Sequence, residues 1–239
     1  MLTMKKMILF DLDGTLLPMD EPVFIKAYFG ALTRKMAPLG FDPEKLVKTM
    51  WAGTKAMVMN DGTKTNEEAF WKSFSEVFGE LNEEQNAMFL DFYLNDFPKL
   101  QYSCGFRPEA NEMIRACLCR GYRVALATNP IFPSPATEER VRWAGIDKDV
   151  FDIITTYEDW HYSKPNPLYF QEVMDRLGVH PEECLMIGND GLEDGIIRTL
   201  GVDVFLIDGF LLHPEEIEKN RIPHGTFAEA LEWIDGKGE

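Results

Sequence analysis

Asp11-Leu12-Asp13-Gly14-Thr15 follows directly on the apolar run Met7-Ile8-Leu9-Phe10. Two carboxylates two residues apart can both face the crevice beyond the carboxyl edge of a parallel sheet if a strand ends between them. That edge is where α/β folds bind ligands. Left alone the two acids repel each other, so a divalent cation or a shared proton must compensate. A site built only of oxygen donors suits magnesium rather than zinc or copper. The same residues also suit a plain turn capping a helix, the commoner outcome for a bare D-x-D.

Three further segments carry matching chemistry. Thr128-Asn129 follows the run at residues 123–127 (RVALA) and offers a hydroxyl, an amide and backbone N–H groups ahead of a helix. Lys164 lies in Ser163-Lys164-Pro165-Asn166-Pro167, a rigid turn before another helix. Residues 188–194, Gly-Asn-Asp-Gly-Leu-Glu-Asp, follow the run at 184–187 (CLMI). Singly, each has an ordinary alternative: Thr128 as a helix cap, Lys164 as a solvated lysine, Asp190 and Asp194 as an acidic first helical turn. Together, four strand-to-loop junctions place phosphate- or metal-suited groups on one sheet edge.

Positioning them requires strands alternating with helices. Runs at 7–10, 123–127, 184–187 and 202–207 are short and apolar, as buried parallel strands are, and 151–155 is a weaker one. Helices are expected over 108–120, 135–144, 167–177 and 192–200, with Gly121, Gly145, Gly178 and Gly201 placed as C-terminal caps. This alternation defines an α/β fold with a Rossmann-like parallel sheet. Residues 19–103 break the rhythm. Phe24, Tyr28 and Leu32 fall at helical spacing there, as do Phe70, Phe74 and Phe78 and then Met88, Phe89 and Phe92. Nine of the 17 Phe and six of the 12 Met lie in this stretch, enough for a small core of its own. The expected organisation is a core of residues 1–18 and 104–239, interrupted by an all-helical domain over 19–103. A last helix over 226–233 leads into a polar tail at 235–239, expected to fray.

The four motifs, in this order and context, resemble those of the haloacid dehalogenase-like hydrolase superfamily. Residues 10–16 (FDLDGTL) look like its first motif, Thr128 its second, Lys164 its third and residues 188–194 its fourth. The helical insertion falls where that family carries its type 1 cap domain, so the resemblance covers the whole chain. It implies that Asp11 attacks phosphorus to form an aspartyl-phosphate. Asp13 would protonate the leaving oxygen and later take a proton from water. Magnesium would be held by Asp11, the Asp13 carbonyl and Asp190, with Asp194 supporting. Thr128 and Lys164 would hold the phosphoryl oxygens, with Asn129 beside them. Two positions depart from the family pattern. Asn189 stands where an aspartate often follows the glycine, so Asn189 or Asp190 is the ligand. Pro130 removes an N–H that could reach phosphate.

Asp13 favours phosphoryl transfer over dehalogenation, because the family's dehalogenases lack this second aspartate. Phosphonate hydrolysis would need a cap lysine, and Lys55 and Lys64 read as surface charges. A phosphomutase shares every motif, and a non-catalytic binding protein on the same scaffold is the alternative from another class. Leaving-group contacts are expected from residues 18–20 and 53–64. The net charge of −16, from 24 basic and 40 acidic residues, excludes nucleic acid and anionic membrane as main partners. It leaves room for one small phosphorylated metabolite if magnesium and Lys164 reverse the field locally. The four cysteines form no zinc pattern and are expected as reduced core thiols. A soluble, cytoplasmic monomer or homodimer is expected.

Overall fold

Alternate residues of each strand face opposite ways, and here both faces are apolar. In the computed structural model, which describes residues 5–237, β1 (Met7–Phe10) sends Ile8 and Phe10 to one side and Met7 and Leu9 to the other, all fully buried. β2 (Arg123–Leu126), β3 (Cys184–Gly188), β4 (Asp203–Ile207) and the two-residue β5 (His224–Gly225) complete a five-stranded, all-parallel sheet in the order β2-β1-β3-β4-β5. The order reverses direction at β1, so the crevice beyond Phe10 is a topological switch point.

Helices cover both faces. α5 (Pro108–Cys119), α6 (Ser134–Trp143) and α9 (Phe227–Asp235) pack on the Ile8/Phe10 side, while α7 (Pro167–Leu177) and α8 (Pro214–Asn220) pack on the other. Between β1 and α5 runs the helical insertion, α1 (Glu21–Met36), α2 (Pro43–Val58), α3 (Asn66–Phe78) and α4 (Glu83–Asp91), which passes into helical turns over Phe92–Ser103. The starts of these four helices are specified locally. Asp20 and Asp42 accept backbone N–H groups as N-caps, and Thr65/Glu68 and Asn82/Gln85 form capping boxes. The chain enters and leaves the insertion side by side, with a bridge between Met19 and Cys104 and the Gly105 amide donating to the Pro18 carbonyl at 2.7 Å.

Several expectations are revised. The insertion does not wall off a separate core: Phe97 stacks on Trp143 of α6 at 5.2 Å, and Phe24 and Tyr28 meet Phe132, so one apolar cluster runs from the sheet into the helices. Residues 192–200 do not form an α-helix. Gly191 and the carboxylate of Asp194 hold a tight turn there, followed by a 3-10 helix over Gly195–Leu200. Residues 151–155 run beside β2 but make one bridge, Leu126 to Ile154, rather than a ladder. All four cysteines are free, but only Cys117 and Cys184 are core. Cys119, two residues on in the same helix, faces solvent, and Cys104 is half-buried. Of the tail, residues 238–239 lie outside the described residues. No helix among the described residues is long and apolar enough to cross a membrane.

Candidate active site

β1 ends at Phe10, and the turn that follows is closed by Gly14 in the left-handed region (φ +84°), its amide donating to the Leu17 carbonyl at 2.8 Å. A Cβ at Gly14 would stand 2.3 Å from Asn189 Nδ2, so conformation and space both demand glycine. The turn delivers Asp11 beyond the sheet edge, 7% exposed, with both oxygens engaged. Lys164 Nζ donates to Oδ1 at 2.9 Å and the Thr15 hydroxyl to Oδ2 at 3.0 Å.

Lys164 also donates to Asp194 Oδ1 at 2.6 Å, while Asp194 Oδ2 accepts the backbone amides of Asn189 and Asp190 at 3.0 and 3.1 Å. One buried cation thus joins the loops after β1 and β3. Burial pushes the Asp11 carboxyl up to about 7 against the pull of Lys164, with Asp194 and Asp13 adding to the push. Burial also opposes the charge on Lys164, but Asp11 and Asp194 outweigh it and hold the ammonium well above its ordinary range. The ammonium is therefore permanent, whereas full ionisation of Asp11 needs more cationic help.

This array has no slack. A Cβ on Gly188 would fall 2.1 Å from Asp194 Oδ2. Gly188→Ala is expected to displace that carboxylate and lower stability by about 1–3 kcal/mol, as overpacking does. Urea denaturation checks it, and an unchanged midpoint would show that the array yields to an added methyl group.

Asp13 carries a partner that its motif did not announce. Arg140 of α6, 1% exposed, donates through Nη1 to Asp13 Oδ2 and lies 4.5 Å from the centroid of the Phe132 ring. Asp13 Oδ1 is buried without a hydrogen-bond partner among the described residues. Arg140 was legible only as a charge in the row Ala136, Arg140, Ala144 that otherwise faces the core. Two further groups were missed. His213, at φ +50°, meets Asp190 Oδ1 at 2.8 Å, which lifts the imidazole above its ordinary range against the effect of burial. Glu193, raised to about 7 by burial, accepts from Asn129 at 3.1 Å.

The remaining predicted residues divide by whether their polar atoms are spent. No described residue hydrogen-bonds the Thr128 hydroxyl, although its carbonyl accepts from Thr155 at 2.6 Å and Tyr169 at 2.7 Å. The Asn129 amide is engaged with Glu193 and with the Lys164 backbone amide at 3.2 Å. Asn189 is engaged too: its Oδ1, 3.1 Å from the Thr15 hydroxyl, shares that group's one hydrogen with Asp11, and its Nδ2 donates to the Phe210 carbonyl at 2.7 Å. Asp190 Oδ1 takes His213 and the amides of Leu192 and Glu193, at 2.7 and 3.0 Å, and Oδ2 has no partner among the described residues.

These groups border a cavity of about 660 Å³ between the sheet edge and the helical insertion. Asp11, Asp13, Thr128, Asn129, Asn189, Asp190 and Asp194 all reach its wall, whereas Lys164 stands behind Asp11. Asp20 and Thr54 reach it from the two segments expected to supply leaving-group contacts, and Lys55 and Lys64 do not. Among the described residues no three His, Cys, Asp or Glu side chains converge as a self-sufficient cation site. Magnesium does not require one, since it usually takes one or two carboxylates and keeps water and substrate phosphate in its other positions. The Asp13 carbonyl accepts no hydrogen bond from the described residues and Asp190 Oδ2 is likewise free, so the oxygen donors present fit that ion.

Residues 5–196 match the family of haloacid dehalogenase-like hydrolases, and the chain belongs to it. Within that family it is 23% identical over 188 residues to a phosphoglycolate phosphatase of Aquifex aeolicus, covering 77% of this chain and 76% of that protein. It is 28% identical over 184 residues to the pyrophosphatase PpaX of Oceanobacillus iheyensis, covering 77% and 74%. In fold it is similar to CbbY of Rhodobacter sphaeroides, solved in complex with phosphate, with a TM-score of 0.58 at 21% identity over 95% of this chain and 96% of the other.

Proposed function

We propose that the protein is a magnesium-dependent phosphatase that hydrolyses a small phosphomonoester in the cytoplasm through an aspartyl-phosphate on Asp11. The observation that carries this reading is the buried carboxylate of Asp11, bonded to Lys164 at 2.9 Å, with Asp13 two residues on at the same cavity. The phosphatase names of the relatives support it.

In the first step an Asp11 carboxylate oxygen bonds to phosphorus and the bond from phosphorus to the ester oxygen breaks. Asp13 gives a proton to the departing alcohol, and Oδ1, the oxygen not paired with Arg140, is the one free to carry it. In the second step water attacks phosphorus, Asp13 takes its proton, and the bond to Asp11 breaks to release phosphate. Thr128 donates its free hydroxyl to a phosphoryl oxygen, and Lys164 holds the Asp11 side chain in line. Asp11, the Asp13 carbonyl and Asp190 would hold magnesium, which when bound would supply positive charge that favours the ionised form of Asp11 and offsets the charge on the phosphoryl oxygens.

Phosphate release from a panel of metabolite phosphomonoesters tests the reading. Removing magnesium with a chelator should lower the rate about 10³-fold. Unchanged turnover without the ion would overturn the metal dependence, and isomerisation of a sugar phosphate with slow phosphate release would mark a mutase. Asp190→Asn should weaken the apparent magnesium affinity by about 10–100-fold, and Asn189→Ala by much less. The reverse order in magnesium titrations would transfer the ligand role to Asn189.

A further inference from the structure

The cavity wall is not evenly composed. Near Asp11 it is polar, but the half beneath the helical insertion is formed by Phe24, Tyr28, Met50, Phe70, Trp71 and Phe132. The hydroxyls of Tyr28 and Tyr93 in that half bond to each other at 2.8 Å. Among the residues lining the cavity the basic side chains are Arg140 and His213, and both are taken, by Asp13 and Asp190. Acids are plentiful, with Asp20 and Glu21 added to the catalytic carboxylates.

From this composition we infer that the substrate's leaving group is an uncharged, largely apolar alcohol, aromatic or branched aliphatic, so that the substrate is the monophosphate of such an alcohol. The inference rests on the phosphatase reading and deepens it. A leaving group bearing a carboxylate or a second phosphate would enter a space lined by acids with no unpaired basic side chain among the described residues, and a charge buried without a partner is strongly disfavoured. A polyol would leave its hydroxyls against aromatic rings with few groups to bond. An aromatic or alkyl group loses nothing there and gains contact with six large side chains. The volume of about 660 Å³ falls within the range of cavities that enclose a drug-sized molecule. Charge and shape therefore agree: the phosphate is recognised at the sheet edge, and the remainder by exclusion of water.

The test compares esters of primary alcohols in magnesium buffer, so that leaving-group chemistry is similar: 2-naphthylmethyl phosphate, phosphoglycolate and glucose 6-phosphate. Removing a naphthyl-sized surface from water corresponds to about a hundredfold in affinity. The naphthylmethyl ester should therefore exceed both others about a hundredfold in kcat/KM, mainly through KM. Equal or better turnover of phosphoglycolate or glucose 6-phosphate would overturn the inference while leaving the phosphatase reading intact. Binding of the non-hydrolysable 2-naphthylmethylphosphonate and phosphonoacetate, followed by the fluorescence of the chain's tryptophans or by calorimetry, is decisive without turnover. Tighter binding of the naphthyl compound with no ester hydrolysed would uphold the apolar, uncharged subsite while overturning the phosphatase reading, so the two failures are told apart. Equal binding, or binding of neither, overturns it. Thr54→Lys, which adds a cation to the wall, should narrow the preference over phosphoglycolate at least tenfold, and an unchanged preference would place the leaving group elsewhere.

Discussion

Asp11→Asn is expected to reduce phosphate release by about 10⁴-fold or more, the scale seen when a covalent nucleophile is removed. The substitution keeps the shape of the side chain, so the loss should not come from unfolding. Stability gives the control. Burial raises the Asp11 carboxyl from 3.8 to about 7 in the metal-free protein. A carboxyl whose folded value is raised contributes stability that is complete below its unfolded value and lost as pH rises through the folded value. Wild-type protein without magnesium should therefore lose stability relative to Asp11→Asn between about pH 4 and pH 7, and the variant should be at least as stable at neutral pH. Chemical denaturation across that range checks the sign. A variant that is both inactive and much less stable at pH 7 would assign Asp11 a structural role instead.

Lys164→Met is expected to be the most destabilising single change at the site, costing about 3–5 kcal/mol, because it leaves buried carboxylates uncompensated. Lys164 is 1% exposed and bonds Asp11 and Asp194 at 2.9 and 2.6 Å, and no other basic side chain among the described residues pairs with either carboxylate. Activity should fall with it. Adding Asp194→Asn to Lys164→Met removes one of the stranded charges and should restore part of the stability but little of the activity. A loss below about 1 kcal/mol for Lys164→Met would mean that the charges find solvent and that the buried array is not what joins the loops.

The strand ends were legible because parallel strands buried on both faces are continuous apolar runs, and each run here stops at a polar or glycine residue. β5 was not, since His224-Gly225 carries no apolar signal and pairs only because β4 offers an open edge. The turn at Gly191 read as helix because Leu192, Ile196, Ile197 and Leu200 recur at helical spacing. The carboxylate of Asp194, which captures two backbone amides, is invisible to periodicity. The same limit hid Arg140 and His213. Their partners lie 127 and 23 residues away in the chain, and only the fold brings a mid-helix arginine to the motif aspartate. Asn129 and Asn189 looked like free ligands because the sequence gives residue type and not whether the amide is already spent.

Asp11 is expected to become covalently phosphorylated during turnover. An acid quench within one turnover, followed by borohydride reduction and peptide mass analysis, tests it directly, because reduction of an aspartyl-phosphate leaves homoserine at that position. Homoserine at residue 11 of the wild type, dependent on substrate and absent from Asp11→Asn, is the predicted result. Rapid phosphate release with Asp11 unmodified, or with modification at another carboxylate, would contradict it.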